Sequence, residues 1–316
     1  DVSSAIEGGK YGTVDVFVPC YKEDMEIIRD TVAACQSMTV PPNFREVKVY
    51  LLDDGGQDER RIMCEKIGAT YICRPNRGQG AKAGNINHAL TITTGELVLI
   101  FDADMTPVPN ALEYLGHILL NSPNEVAMVQ SPQRFRDVTK CDLFASRNLV
   151  FSDFTMPMMG AHGLCPFVGT GAIFKREILI ECGGFPEYSV TEDTALSLEF
   201  HLKGYRTLCA PDPVAFGTSP HNAAELLNQR MRWIWGGFQV LAEKNPVFQS
   251  ELPFRARWLW ASAFLWYVTG PIYITIHFAI SGGLFAGASV IAQGALVRFS
   301  FIYVLLVRLA WMVYAS

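Results

Sequence analysis

Several common signatures are missing from the 316 residues. Eight cysteines include no Cys-x-x-Cys pair and six histidines no His-x-x-x-His spacing, so neither a structural zinc site nor a zinc hydrolase is supported. The cysteines (Cys20, Cys35, Cys64, Cys73, Cys141, Cys165, Cys182 and Cys209) are scattered, and Cys73 and Cys209 fall inside apolar runs. That pattern suits reduced, buried thiols of a cytosolic compartment rather than a disulfide framework. Strong positive charge is missing too. A net charge of -5 and a pI near 5.7 leave no electrostatic footprint for nucleic acid, and no aromatic and basic residues interleave on an expected strand. Asp1 to Tyr11 is polar, without the apolar core of a secretory signal. The most consequential gap lies between Trp258 and Val297, where there is no Lys, Arg, Asp or Glu, although charges are spread evenly before it. The chain therefore reads as a charged globular part followed by a membrane part.

The length suffices for one core of about 200 to 250 residues plus something further. Within it, Leu97 to Phe101 is an unbroken apolar run that suits a strand buried on both faces of a parallel sheet. Asp102-Ala103-Asp104 follows where that strand must stop. In open α/β sheets this edge binds ligands, and paired carboxylates offer hard oxygen ligands to a divalent cation. Taken alone, the tripeptide is equally a solvated acidic turn. Two earlier strands end the same way. Val14 to Val18 stops at Pro19, before Tyr21 and Glu23, and Lys48 to Leu52 runs into Asp53-Asp54-Gly55-Gly56. Helices are expected over Met25–Met38, Arg60–Gly68 and Asn87–Thr94, with a strand at Thr70–Cys73. Arg74 to His88 reads as a glycine-rich cationic loop in which Lys82, between Gly80 and Gly84, could meet a diphosphate. Strand-helix alternation with acids at three strand ends implies a doubly wound α/β domain whose ligand edge is acidic.

Further on, Ala111 to Leu120 suggests a helix, Glu125 to Gln130 a strand, and Cys141 to Met159 a packing helix and loop. Glycines in Val168-Gly169-Thr170-Gly171-Ala172 suggest either close approach of a ligand or a β-bulge. A helix begun near Lys175 ends at Gly183-Gly184. Thr191-Glu192-Asp193 opens another, with Thr191 as N-cap and two acids in its first turn, a complete structural explanation by itself. Thr207 to Ala210 reads as a strand. Along Ala223 to Leu241, Leu227, Met231, Ile234, Phe238 and Leu241 make an apolar stripe expected to pack, while Gln229, Arg232 and Trp233 display chemistry on another face. Residues 258–280 are long enough to span about 30 Å of hydrocarbon, with Pro271 as a kink. Ser281 to Val297 reads as interfacial or re-entrant. Phe299 to Ser316 begins a second span, in which Arg308 would cost about 2.5 to 3.5 kcal/mol unless it faces protein or water.

Asp53-Asp54-Gly55, Asp102-Ala103-Asp104, Thr191-Glu192-Asp193 and Gln229-Arg230-Met231-Arg232-Trp233, in this order, resemble the D, DxD, TED and QxxRW signatures of processive family 2 glycosyltransferases. The likeness is strongest to cellulose synthases and related β-glucan synthases and covers about residues 13–280. Chitin synthases usually carry Glu-Asp-Arg and hyaluronan synthases Gly-Asp-Asp at the third motif, so Glu192-Asp193-Thr194 favours a glucan product.

The resemblance implies a leader over 1–12, a GT-A-type α/β catalytic domain (Rossmann-like, mostly parallel sheet) over 13–250, and interfacial and transmembrane α-helices over 251–316. By it, Tyr21, Glu23 and Asp54 would contact uridine, and Lys82, Gln229 and Arg232 the diphosphate. Asp102 and Asp104 would hold the nucleotide and its Mg²⁺ or Mn²⁺. Asp193 would be the catalytic base, with Glu192 beside it. Trp233 would stack under the acceptor sugar, whose path Gly169, Thr170 and Gly171 would line. The implied activity is inverting transfer from UDP-glucose to the non-reducing end of a growing β-glucan, cellulose-like or a relative such as curdlan or mixed-linkage glucan, with the polymer entering a membrane channel. Implied partners are a UDP-sugar, the glucan, the lipid bilayer and other synthase subunits. The family carries membrane helices before the catalytic domain and more after it, together with a gating loop, so the chain is expected to be part of a longer one. The surplus of Lys and Arg over acids between Glu225 and Arg257 would place the catalytic domain on the cytoplasmic side of the plasma (inner) membrane. The rival within the same class is a non-processive membrane transferase that adds one sugar to a lipid acceptor.

Overall fold

The structure is a computed structural model that describes residues 12–138, 142, 148, 150–220 and 222–285. The chain divides into two compact units between Ala263 and Phe264. The first is built on a seven-stranded sheet in the order β3-β2-β1-β4-β8-β6-β9. Its strands are β1 (Thr13–Cys20), β2 (Glu46–Asp53), β3 (Thr70–Ile72), β4 (Leu97–Ile100), β6 (Val126–Gln130), β8 (Ala172–Lys175) and β9 (Arg206–Cys209). A second sheet of three short strands joins β5 (Thr106–Pro107), β10 (Ala215–Gly217) and β7 (Arg134–Phe135). Pairs of two or three residues, one containing proline, have no periodicity to read, and none of these three is expected from the sequence.

Both faces of the large sheet are buried, as continuous apolar strands require. Leu97 and Leu99 point into a core completed by Ile28 and Val32 of α1 (Met25–Gln36), Met63 of α2 (Asp58–Ile67) and Leu112 and Leu115 of α4 (Ala111–Leu120). Val98 and Ile100 point the other way, onto Ile86 and Leu90 of α3 (Ala81–Ile92), Leu179 of α6 (Arg176–Glu181) and Leu196 and Phe200 of α7 (Glu192–Leu202). Phe167, Phe174 and Phe185 fill this second core edge-to-face, with ring centroids 5.1 to 6.1 Å apart.

Sheet direction decides what reaches the ligand edge. β1, β2 and β4 are parallel, so their acidic C-terminal ends lie together, with Cys20 opposite Asp53 and Phe17 opposite Ile100. β8 runs antiparallel to β4 and β6, and its first residue, Ala172, pairs with both Ile100 and Gln130. The segment that precedes β8 therefore arrives at the same edge.

Some expectations are corrected. Helix α3 begins at Ala81, six residues before Asn87, so Lys82 lies in a helical first turn and not in a loop. Arg74 satisfies the Gln79 and Ala81 carbonyls that would otherwise be exposed there. Cys73 is exposed, whereas the sequence places it in an apolar run. The stripe of α8 (Ala223–Glu243) packs only in part, with Ile234 and Leu241 half-buried. Leu227 and Met231 are each 62% exposed and Phe238 47%, while the close approach is made by Gly236, Gly237 and Val240. A Cβ on Gly236 would collide with Thr191, which is why the helix presents glycine there. Residues 258–280 do form part of one helix, α9 (Phe254–Phe285), but among the described residues no helix is long and apolar enough to cross a membrane. Phe299–Ser316 lies outside the described residues, as does most of Cys141–Asn148.

Two buried polar contacts fix the frame. His201 of α7 accepts the indole N–H of Trp260 at Nδ1 (3.1 Å) and meets the Thr207 hydroxyl at Nε2 (2.8 Å). Burial lowers its pKa to about 3, which keeps the ring a neutral acceptor. Arg176 pairs with Asp15 at 2.6 Å, both buried, and also donates to Thr93 and to the Gly95 and Leu90 carbonyls. Asp15→Ala leaves that guanidinium without a counter-charge, and such a loss costs about 3 to 5 kcal/mol. Thermal melts of the purified protein should show a fall in midpoint of many degrees, and an unchanged midpoint would refute the pair's structural role.

Candidate active site

Lys82 is the cation around which the site is arranged. Its ammonium lies 2.5 Å from Asp102 Oδ1 and 3.5 Å from Glu192 Oε1, and donates to the Gly169 carbonyl at 2.8 Å. Burial works against the charged form, but Asp102 and then Glu192 outweigh it, and the Lys82 pKa rises above its ordinary value. Gly169, at φ +89°, shows how tightly the groups converge. A Cβ there would sit 3.3 Å from Lys82 Nζ, 3.4 Å from Asp193 Oδ2 and 3.7 Å from Asp102 Oδ2. Two of the four signature motifs, Lys82 and the glycine segment thus meet at one point, supplied by the end of β4, α7, α3 and the segment before β8.

Asp193 is pushed up to about 7, first by burial and then by the charge of Glu192, with Lys82 pulling the other way. Its Oδ1 accepts from the Thr194 N–H at 2.7 Å. A carboxyl poised near neutrality is what a general base requires. Thr191 does not cap α7 through its side chain as expected. Instead its hydroxyl contacts Ser189 Oγ at 3.0 Å, and Ser189 donates to the Gly236 carbonyl at 3.1 Å, which fastens α7's entry to α8. Gln239 of α8 accepts the Val190 N–H (2.9 Å), and Lys244, just after the helix, donates to Glu199 (2.8 Å).

Asp104 stands on the other side of Asp102, at the edge of a cavity of about 450 Å³ lined by Thr218, Ser219, Glu225, Asn228, Gln229 and Arg232. Loss of solvation around its carboxyl, followed by the charge of Asp102, raises its pKa to about 6 although the residue still reaches solvent. Two hard-oxygen donors that repel one another fit a divalent cation. Among the described residues no group of three or more His, Cys, Asp or Glu could enclose a metal. The remaining ligands would have to come from the substrate or water. Trp233 of the same helix is half-buried, with the Arg230 guanidinium 4.6 Å from its ring centre.

The other motif acids hold the loops. Asp54 is buried and bound at both oxygens by Arg74 (2.7 Å each), with the Gly78 N–H adding a third donor at 3.1 Å. Asp53 accepts from Arg60 (2.7 Å), Tyr71, Gly55 and Gln57; burial opposes its charge, but these donors keep its carboxyl below the usual range. Arg60 also donates to the Tyr21 and Glu23 carbonyls, and Glu23 accepts from the Tyr21 N–H at 2.6 Å, so the first loop is tied to the second. Tyr21 itself is 51% exposed at this edge. Sequence reasoning missed Arg60 and Arg74, the buried cations that neutralise Asp53 and Asp54. Arg60 lies seven residues after Asp53, whereas Arg74 lies 20 residues from Asp54 and left no local signal.

A sequence pattern described as glycosyltransferase like family 2 matches residues 12–236, and one described as cellulose synthase matches 180–315. The UDP-forming cellulose synthase catalytic subunit of Pseudomonas fluorescens (strain SBW25) is 32% identical over 303 residues, which are 94% of this chain and 40% of that protein. Cellulose synthase 1 catalytic subunit (UDP-forming) of Komagataeibacter xylinus is 34% identical over 265 residues, 80% of this chain and 34% of that one. The chain thus spans well under half the length of these relatives. Among solved structures, the mannosyltransferase PcManGT from Pyrobaculum calidifontis, in complex with GDP-Man and Mn²⁺, aligns with a TM-score of 0.62 at 21% identity over 92% of this chain and 84% of that one. S. aureus TarS 1-349 in complex with UDP aligns at 0.55 and 16%, over 80% of this chain and 70% of that one. These likenesses identify the fold as GT-A-like, with a mostly parallel sheet. With one family's pattern running through every strand of both sheets and into α8, this chain belongs to glycosyltransferase family 2.

Proposed function

We propose that this chain is the catalytic part of a membrane-associated, inverting β-glucan synthase that transfers glucose from UDP-glucose to the non-reducing end of a growing chain. The observation that carries the proposal is the meeting of Lys82, Asp102 and Asp193 around Gly169, beside a cavity edged by Asp104, Gln229 and Arg232. Asp193 takes the proton from the acceptor hydroxyl as that oxygen attacks the anomeric carbon from the face opposite UDP. Lys82 and Arg232 meet the charge that grows on the departing diphosphate, an electrostatic contribution that needs no covalent intermediate. A divalent cation, Mg²⁺ or Mn²⁺, held by Asp102 and Asp104 would add Lewis-acid stabilisation of the same leaving group. Tyr21 and Glu23, on the loop that Arg60 ties down, and Asp54 border the place for uridine. Trp233 offers an indole, oriented by Arg230, on which an acceptor sugar can stack.

The exposed apolar face of α8 supports a lipid surface as partner. Leu227, Met231, Trp235 and Phe238 project from it, and Phe254 and Trp258 are exposed at the start of α9. A run of large apolar and aromatic side chains left in water is the composition of an interfacial surface. On this reading the catalytic domain lies on the cytoplasmic face.

The direct test supplies membranes holding the full protein with UDP-[¹⁴C]glucose and a divalent cation, counts insoluble label and digests it with linkage-specific glucanases. Label in lipid extracts instead of polymer would favour single addition to a lipid. Asp193→Asn should abolish transfer with UDP affinity retained, and Asp104→Asn should weaken metal-dependent UDP binding; equal loss of UDP affinity in both would refute this division. Because Asp193 sits near 7, kcat/KM should rise with pH through an acid limb centred near that value. A limb centred at an ordinary carboxylate value would remove Asp193 as base. Trp233→Ala should suppress polymer about thirtyfold, the equivalent of a 2 kcal/mol stacking anchor, while slow UDP-glucose hydrolysis persists. Parallel loss of both activities would reduce Trp233 to a packing residue.

A further inference from the structure

The segment 167–171, which brings the Gly169 carbonyl to Lys82, carries two glycines at positive φ, Gly169 (+89°) and Gly171 (+64°), and so has little conformational restraint of its own. Its restraint comes from two side chains outside it. Gln130, the last residue of β6, is wholly buried. Its Nε2 donates to the Ser131 carbonyl (2.6 Å) and the Thr170 carbonyl (2.7 Å), with the Gly171 carbonyl at 3.3 Å, and its Oε1 accepts the Val168 N–H at 3.1 Å. Both ends of one carboxamide thus grip one loop. Ser197 of α7, also wholly buried, accepts the Phe167 N–H at 2.7 Å and donates to the Asp193 carbonyl at 2.9 Å. One clamp ties the loop to the sheet and the other ties it to the helix that carries Asp193. The held loop then acts on the site: Gly169 accepts from Lys82, and the Thr170 hydroxyl accepts the Asp102 N–H at 3.0 Å.

We propose that Gln130 is a positioning residue of the transfer reaction, which sets the 168–171 loop so that Lys82, Asp102 and Asp193 stay in register, with Ser197 coupling the same loop to the catalytic helix. Neither side chain touches substrate. Hydrophobic packing cannot do this work, because the atoms to be held are backbone carbonyls and N–H groups, and each must be paired when buried. The proposal rests on the transferase reading above and adds to it the residues that set the site's geometry.

The test replaces Gln130 by Leu, which keeps the volume and removes all four contacts, and uses Ser197→Ala as a milder second variant that retains the packing of α7. Activity is measured per folded protein in membranes, UDP affinity separately, and hydrogen exchange residue by residue. Gln130→Leu should lower kcat about a hundredfold, the usual consequence of a displacement near 1 Å, with UDP affinity held within about threefold. Exchange at the Val168 and Asp102 amides should rise about tenfold or more while β1 amides are unaffected. Ser197→Ala should lower kcat about tenfold, and the double variant should fall well short of the product of the two, since both act on one loop. If the loop amides exchange at wild-type rates, or if they exchange faster with wild-type kcat, the proposal is wrong. Strictly multiplicative kcat losses would overturn the coupling. A wild type that makes no glucan would overturn the donor and product assignment instead, and the exchange rates would still decide whether Gln130 holds the loop.

Discussion

A single ammonium among carboxylates is the constraint on which the site depends. Glu192 and Asp102 stand close enough to Asp193 to raise its proton affinity, and Lys82 is the cation that lets the three carboxylates share the space. The balance is uneven by design of position. Asp102 has the short contact, Glu192 the longer one, and Asp193 is left near neutrality as the group able to exchange a proton. On the proposed reading, a diphosphate arriving at Lys82 would compete with these carboxylates for it and so link donor binding to the state of the base through one side chain.

That arrangement needs the whole domain. Lys82 and Glu192 belong to the first turns of α3 and α7, both packed against the Val98 and Ile100 face of β4. Asp102 follows the end of β4, and Gly169 arrives there only because β8 reverses direction. The two buried arginines, Arg60 and Arg74, play the complementary part at the ends of β1 and β2 by turning Asp53 and Asp54 into loop anchors. Charge pairing in this molecule is therefore divided between pairs that shape loops and one cluster that remains chemically available.

Helix α8 joins the site to a different environment. Its Gln229 and Arg232 line the cavity, its Gly236 lies against Thr191, and its large apolar residues face outward. A soluble helix would turn such residues inward. The inversion is consistent with a surface that packs on something other than this domain, and it places the cavity beside that surface.

The strands β1 to β4, β6 and β9 of the large sheet, the acids at the ends of β1, β2 and β4, and the four motifs could be read from the sequence, because strand burial, helix periodicity and metal-type donors are local properties of the chain. Residues 258–280 show the limit of such reading. Absence of charge suggested a span, yet among the described residues no helix is long and apolar enough to cross a membrane. The stripe on α8 was visible as a pattern, but a pattern does not say which side has a neighbour. Only the tertiary structure placed Lys82 in a helix, turned Asp54 to Arg74, set Gly169 between Lys82 and Asp193, and gave Gln130 and Ser197 a common loop to hold. Each of these is a pairing between residues far apart in the chain, fixed by strand direction and by the need of buried polar atoms for partners, and neither is written in local sequence.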